Sequence, residues 1–532
     1  MKLSRRGVVA GLAAAGLAVP AGYYAQREWN RRQEAELSSD EPAVPVPDLA
    51  NALLGERLTA IWAFTLVTPQ PAFSEFTAGL ELMLDVGPGG RAIRGYLGRA
   101  PYAGDGMQVY GQLDATALPR MRWALVSASG QGYHCEVIVD EIWGPWSNGG
   151  GKASLSGRLY RQGEQPGQGN VVEFVAIRQP FAVARQRLGY VPTLHDALVS
   201  PQRRYFHQLW HASRDRWHRL SDARRQAVRA LGWQVGVAGH ERNARGHDRH
   251  RNGSGEDFLF MHRHMLHGVR ELQNLPSWQC LPAPRPYIGH GVRAFVDYLN
   301  NQDGYSVPPA WEASGDEHFS QWLYYIKSDA GFYAHFQHWE AQLRDPAYLS
   351  SLCLGELGSR IELGIHDWLH MRWAALSRDP DSGYPMPYAR RNYDFAERWF
   401  GADNDFLGDP FSSHVNPVFW AFHGWIDDRV DDWFLAHQQA HPGEVQRNVV
   451  NGIPWFAPGR WVCVAEPWLG PTREGCGAWG LGNGGGSGTL DIETMKLALQ
   501  VIFSPEEQAD RLQTHVPRRP WYARHLAASL KQ

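Results

Sequence analysis

A chain of 532 residues, 43% hydrophobic and 20% charged, is long enough to bury a large core and to divide into two or three domains. Its formal net charge of −3 excludes the basic surplus that a phosphate-binding groove requires. The five cysteines, Cys135, Cys280, Cys353, Cys463 and Cys476, contain no CxxC pair. That argues against a thiolate zinc cage and leaves a pairing such as Cys463 with Cys476 open.

The first 25 residues, MKLSRRGVVAGLAAAGLAVPAGYYA, set Lys2, Arg5 and Arg6 ahead of an apolar stretch from Val8 to Val19. This is the layout of a twin-arginine export signal, and that route carries folded proteins to the periplasm. A permanent anchor is the weaker reading, because a spanning helix needs roughly 20 apolar residues. Cleavage of the signal stays open.

From about Leu58 to Ala184 the pattern has period two. RAIRGYLGR, MRWALVSASG, YHCEVIVDEIW, KASLSGRLYR and VVEFVAIRQPF each read as a strand, separated by Gly-rich turns such as GPWSNGGGK. Strands at this spacing predict an antiparallel barrel or sandwich whose inward aromatic residues mainly fill the interior.

After LGYVPTLHDALVSPQ the period changes to three or four, giving a multidomain α+β chain. SDARRQAVRALGWQ, DFLFMHRHMLHGVREL and GWIDDRVDDWFLAHQQA read as helices, the first capped by Ser221. Ten of the 23 histidines lie between Phe206 and Gly291, more than packing explains.

Three histidine-bearing segments matter together. GHERNARGHDRHRNGSGEDFLFMHRHML supplies His240, His247, His250 and His262. RIELGIHDWLHM places Glu362, His366 and His370 four residues apart, so one continuous helix would present all three on one face. NPVFWAFHGWIDDRVDDW carries His423 on a helix with Asp427 one turn on, placed to accept a ligand histidine's second N–H. A lone His423 reads as a core histidine, and a lone HxxxH as a surface pair or zinc half-site. Taken jointly, imidazole-only donors suit copper, zinc, iron or nickel rather than calcium or magnesium.

These segments resemble the tyrosinase family, whose centre is a type-3 copper pair. FLFMHRHML resembles its FLPWHRxYL, with Met261 for Trp and Met265 for Tyr. ELGIHDWLH resembles its HNxxH. NPVFWAFHGWIDDRVDDW is similar to DPxFxxHHxxxDxxW, with Asn416 for Asp and Val430 for Trp. The match spans Tyr205 to Trp433. It implies His262 as the last ligand of the first copper, with His240 and His250 as the others and His247 as the alternate. His366, His370 and His423 would hold the second copper. By the same resemblance Phe419 overhangs the metals, and Phe422 stands where the family often has a non-ligand histidine. Glu362 would be the base acting through a water, and Asp367 stands where the family has asparagine.

The chemistry so implied is ortho-hydroxylation of a phenol with dioxygen as co-substrate, then oxidation of the catechol to a quinone. The whole arrangement resembles, within that family, the exported tyrosinases of siderophore maturation. That implies a barrel of eight strands at 50–190, a dicopper domain at 200–500, a lid at 501–532, a homodimer and a tyrosine-bearing peptide substrate (ferribactin, the pyoverdine precursor). Tyr522 in RRPWYARH is then a substrate mimic on the lid, or an aromatic that packs the last helix. Three other readings remain: a hemocyanin-like oxygen carrier, a catechol oxidase without phenol hydroxylation, and a zinc hydrolase using HxxxH with Glu362.

Overall fold

The computed structural model of the protein describes residues 55 and 58–503, less 87–91, 101, 103–105, 115, 117–119, 141–153, 165–168, 180–187, 218–219, 236–253, 300–304, 309, 311–316, 376–394, 396 and 471–490. The export signal, His240, His247, His250, Cys476 and Tyr522 lie outside the described residues.

Eight strands close into a barrel: β1 (Ala60–Leu66), β2 (Leu80–Val86), β3 (Ala92–Gly98), β4 (Met107–Gln112), β5 (Arg120–Ser127), β6 (Gly132–Asp140), β7 (Ser154–Arg161) and β8 (Val171–Arg178). Each pairs antiparallel with the next, and β8 returns to β1 in the register Phe64↔Ala176. Strand β8 shows the cause. Val172, Phe174 and Ala176 are buried while Glu173 and Ile177 face out, so the two-residue period separates core from solvent. Phe64 stacks on Phe174 at 4.9 Å, and Phe76 meets Tyr133 edge-on at 5.0 Å. Side chains therefore fill the interior, as expected.

The barrel docks on the segment that follows residue 284. Arg285 pairs with the buried Asp85 at 3.0 Å and donates to the Val86 carbonyl, while the Ile288 N–H donates to Asp85. Ile61, Met83 and Tyr96 on the barrel wall share an apolar cluster with Ile288, Phe295, Val296 and Leu299.

The rest is mainly helical, with a two-stranded hairpin at Arg447–Val450 and Ile453–Phe456; its longer helices are α1 (Pro192–Val199), α2 (Pro201–Arg216), α3 (Asp222–Ala230), α4 (Ser254–Leu272), α5 (Val292–Leu299), α6 (Glu317–Lys327), α7 (Leu354–Arg360), α8 (Asp367–Trp373), α9 (Pro417–Ala440) and α10 (Ile492–Ile502). Caps fix the starts. Ser200, Ser221 and Asn416 accept from the backbone N–H of Arg203, Arg224 and Val418, and Pro201 and Pro417 open their helices. Every residue from Pro417 to Ile426 is buried, which makes the first half of α9 the bundle's central rod. No described helix is long and apolar enough to cross a membrane.

The helix expected through RIELGIHDWLHM is not continuous. A π-helical stretch, Ile361–His366, joins α7 to α8, and Gly364 leaves helical geometry at φ −117°, ψ −107°. The wider turn changes where Glu362 is aimed relative to His366.

Candidate metal centre

Four chain segments deliver six imidazoles to one buried place. Helix α2 carries His207 and His211, α4 carries His262, the π stretch and α8 carry His366 and His370, and α9 carries His423. None is more than 2% exposed. Two groups of nitrogen atoms lie within 4.8 Å of one another, His207 with His211 and His262, and His262 with His366 and His423. His262 is common to both and stacks on His423 at 4.4 Å, interplanar angle 13°. His370 joins the second group, its Nε2 lying 3.0 Å from that of His366.

Backbone carbonyls set the tautomers. The Nδ1–H of His262 donates to Phe258 O at 2.8 Å, that of His423 to Phe419 O at 2.8 Å, and that of His370 to Leu407 O at 2.6 Å. Each such bond leaves the lone pair on Nε2. The Nε2 atoms of His262 and His423 are buried with no hydrogen-bond partner among the described residues. His207 has a histidine behind it. His414 Nε2 donates to Leu198 O, its Nδ1 lies 3.2 Å from His207 Nδ1, and both rings also face the Pro410 carbonyl.

Burial drives all six rings toward the neutral form that binds metals. His262 is pushed down to about 4 and His370 to about 3. His207, His211, His366 and His423 also lie well below the ordinary value, where neighbouring imidazoles add to the effect of burial.

Donor chemistry supplies the test of fit. His366 Nδ1 lies 3.3 Å from the Asp367 carboxylate and faces the Glu362 carbonyl, and His370 Nδ1 has Leu407 O. With the proton on Nδ1 of both rings, two lone pairs oppose each other across 3.0 Å. A cation between them relieves that repulsion, and no carboxylate belongs to either nitrogen group. Nitrogen-only sets of this kind suit copper, zinc, iron or nickel.

Aromatic side chains pack around the imidazoles. Phe419 lies 3.8 Å from His423 and 5.6 to 6.2 Å from His207, His370 and His262, ring centre to ring centre. Phe422 packs 4.4 Å from His423 and 4.8 Å from His370, and Phe258 lines the side of His262 and His366.

The expected carboxylates meet the following partners. Asp427 does not orient a ligand, because His423 already donates to Phe419 O. It pairs instead with Arg263 at 2.6 Å, which ties α4 to α9. Glu362 is held by Arg214, which donates to both its oxygens, to Oε2 at 2.9 Å, and its negative charge acts on His262. Asp367 lies beside His366, its Oδ1 3.3 Å from Nδ1. His207 and His211 were missed, although YFHQLWHAS carries the same four-residue spacing as His366 and His370. No protein-family model matches the chain, and no curated protein matches it.

Proposed function

We propose that the protein is a type-3 copper oxidoreductase that hydroxylates a phenol ortho to its oxygen and oxidises the resulting catechol to a quinone. The observation that carries this is the pair of buried nitrogen groups sharing His262, with unpartnered Nε2 atoms on His262 and His423. His207, His211 and His262 would hold one copper, and His366, His370 and His423 the other. His240 and His250, with His247 as alternate, are the rival donors to the first metal from the stretch just ahead of α4.

When bound, the copper pair supplies dioxygen binding and two-electron transfer. The chain's own residues do the rest. The carbonyls of Phe258, Phe419 and Leu407 hold three imidazoles with Nε2 inward. Phe419 and Phe422 exclude water from the cavity. Glu362 is the proposed acceptor of the phenol's proton through a water. Asp367 holds the Nδ1 side of His366.

One observation favours the diphenol-only alternative: Arg214 occupies both oxygens of the proposed base. A tyrosine-bearing siderophore precursor, a homodimer and the Tyr522 lid remain proposals that rest on the resemblance, and periplasmic export one that rests on the twin-arginine layout of the first 25 residues.

The test is copper content together with oxygen uptake by the full-length copper-loaded protein, given free tyrosine, a catechol and a tyrosine-bearing peptide in parallel. Two coppers per chain with turnover of a phenol support the reading. Turnover of the catechol alone selects the diphenol oxidase, oxygen binding without turnover a carrier, and one zinc per chain a hydrolase.

A further inference from the structure

Arg214, near the end of α2, is completely buried and touches the supports of both histidine groups. We propose that it is a positioning residue that sets the separation of the two metal subsites; this rests on the dicopper reading above. Its guanidinium donates through both terminal nitrogens to Glu362, and through Nη2 to the carbonyl and hydroxyl of Ser254 at 2.8 and 3.0 Å. Three elements meet at this one side chain: α2 with His207 and His211, the first residue of α4 with His262, and the π stretch with His366.

Its face lies 4.5 Å over the ring of Trp210. That ring packs edge-on to His211 at 5.0 Å and to His262 at 6.0 Å, so the guanidinium backs the first group through one aromatic layer. Beside it α4 and α7 touch backbone to backbone. A Cβ on Gly255 would lie 2.2 Å from Gly355 O, and one on Gly358 would lie 2.1 Å from Gly255 O. The glycines let the helices meet and the planar fork of Arg214 holds them in register, a geometry that a lysine ammonium does not reproduce.

The experiment loads the full-length protein, Arg214→Lys and the double variant Arg214→Met/Glu362→Gln with copper(II). The double variant removes both charges of the pair, so no lone carboxylate is left buried. Far-UV circular dichroism and thermal melts report folding, metal analysis counts copper, and electron paramagnetic resonance reads the separation. Two copper(II) ions in one bridged centre couple and give no signal, whereas separated ions give one. The expected result is a silent pair in the parent, and resonance-visible copper in whichever variants fold. Folded variants that keep two silent coppers would overturn the positioning role. A parent chain that holds fewer than two coppers would overturn the dicopper reading, and the inference with it.

Discussion

His366 and His370 oppose their Nε2 atoms at 3.0 Å while each has an oxygen acceptor on its other ring nitrogen. Neutral rings that both carry the proton on Nδ1 repel in that arrangement, and a bound cation removes the conflict. Copper at a hundredfold excess over its dissociation constant should stabilise the fold by about 2.7 kcal/mol. His366→Ala should remove the conflict and one copper together. Unchanged copper content in that variant would count against the second group.

Acid should destabilise the metal-free protein well before its own histidines titrate. The folded-state values of His262 and His370 are depressed to about 4 and about 3, below the ordinary value of 6.5. As pH falls through 6.5 the unfolded chain takes up protons that the native fold refuses, so stability falls from there toward pH 4 and 3. Each such imidazole contributes up to about 1.4 kcal/mol per pH unit. Thermal melts of the apo protein across pH 7.5 to 4.5 measure this; a flat profile would contradict the neutral assignment.

Gly358→Ala should disturb the centre from a distance. Its new Cβ would meet Gly255 O at 2.1 Å, so α4 and α7 must separate. Overpacking of this kind costs roughly 1–3 kcal/mol. His262 and His366 ride on those two supports, so copper binding should weaken along with stability. Normal copper affinity in a destabilised Gly358→Ala would show that the crossing does not position the donors.

Asp427→Ala separates two roles assigned to one residue. It breaks the pair with Arg263 and should lower stability by about 1.5–3 kcal/mol. Copper content should hold, because Phe419 O, not Asp427, takes the His423 proton. Loss of copper from a folded Asp427→Ala would restore its proposed place as a ligand-orienting group.

Membership of the first group is decided by deletion. His207→Ala and His211→Ala should each lower copper content or affinity, whereas His250→Ala should not if α2 supplies the donors. The opposite pattern, with His250→Ala losing copper and His207→Ala keeping it, would return the site to the donor set first proposed from the resemblance.

Much of the barrel was legible because one face of most strands meets solvent, as the alternation in β8 shows. Strands β1 and β2 were harder to read. The outer residues Ile61 and Met83 are themselves buried against the segment around α5, which blurs the two-residue period. Helix α3 and its Ser221 cap followed from local chemistry alone. The π turn did not, since a wider turn leaves the four-residue spacing of Glu362, His366 and His370 unchanged in the sequence.

Spacing along the chain was therefore determined by the sequence: the four-residue interval of His366 and His370, the lone His423 on an amphipathic helix, and the chemistry of each donor. Only the tertiary structure decided which of these share a cavity, and that His207 and His211 join them. It also decided that Asp427 meets Arg263, and that Glu362 meets Arg214, 148 residues away. Local periodicity sets which way a side chain leaves its own helix. Convergence depends on where helices distant in the chain cross, and that is fixed by close backbone contacts and buried ion pairs that leave no local periodic signature.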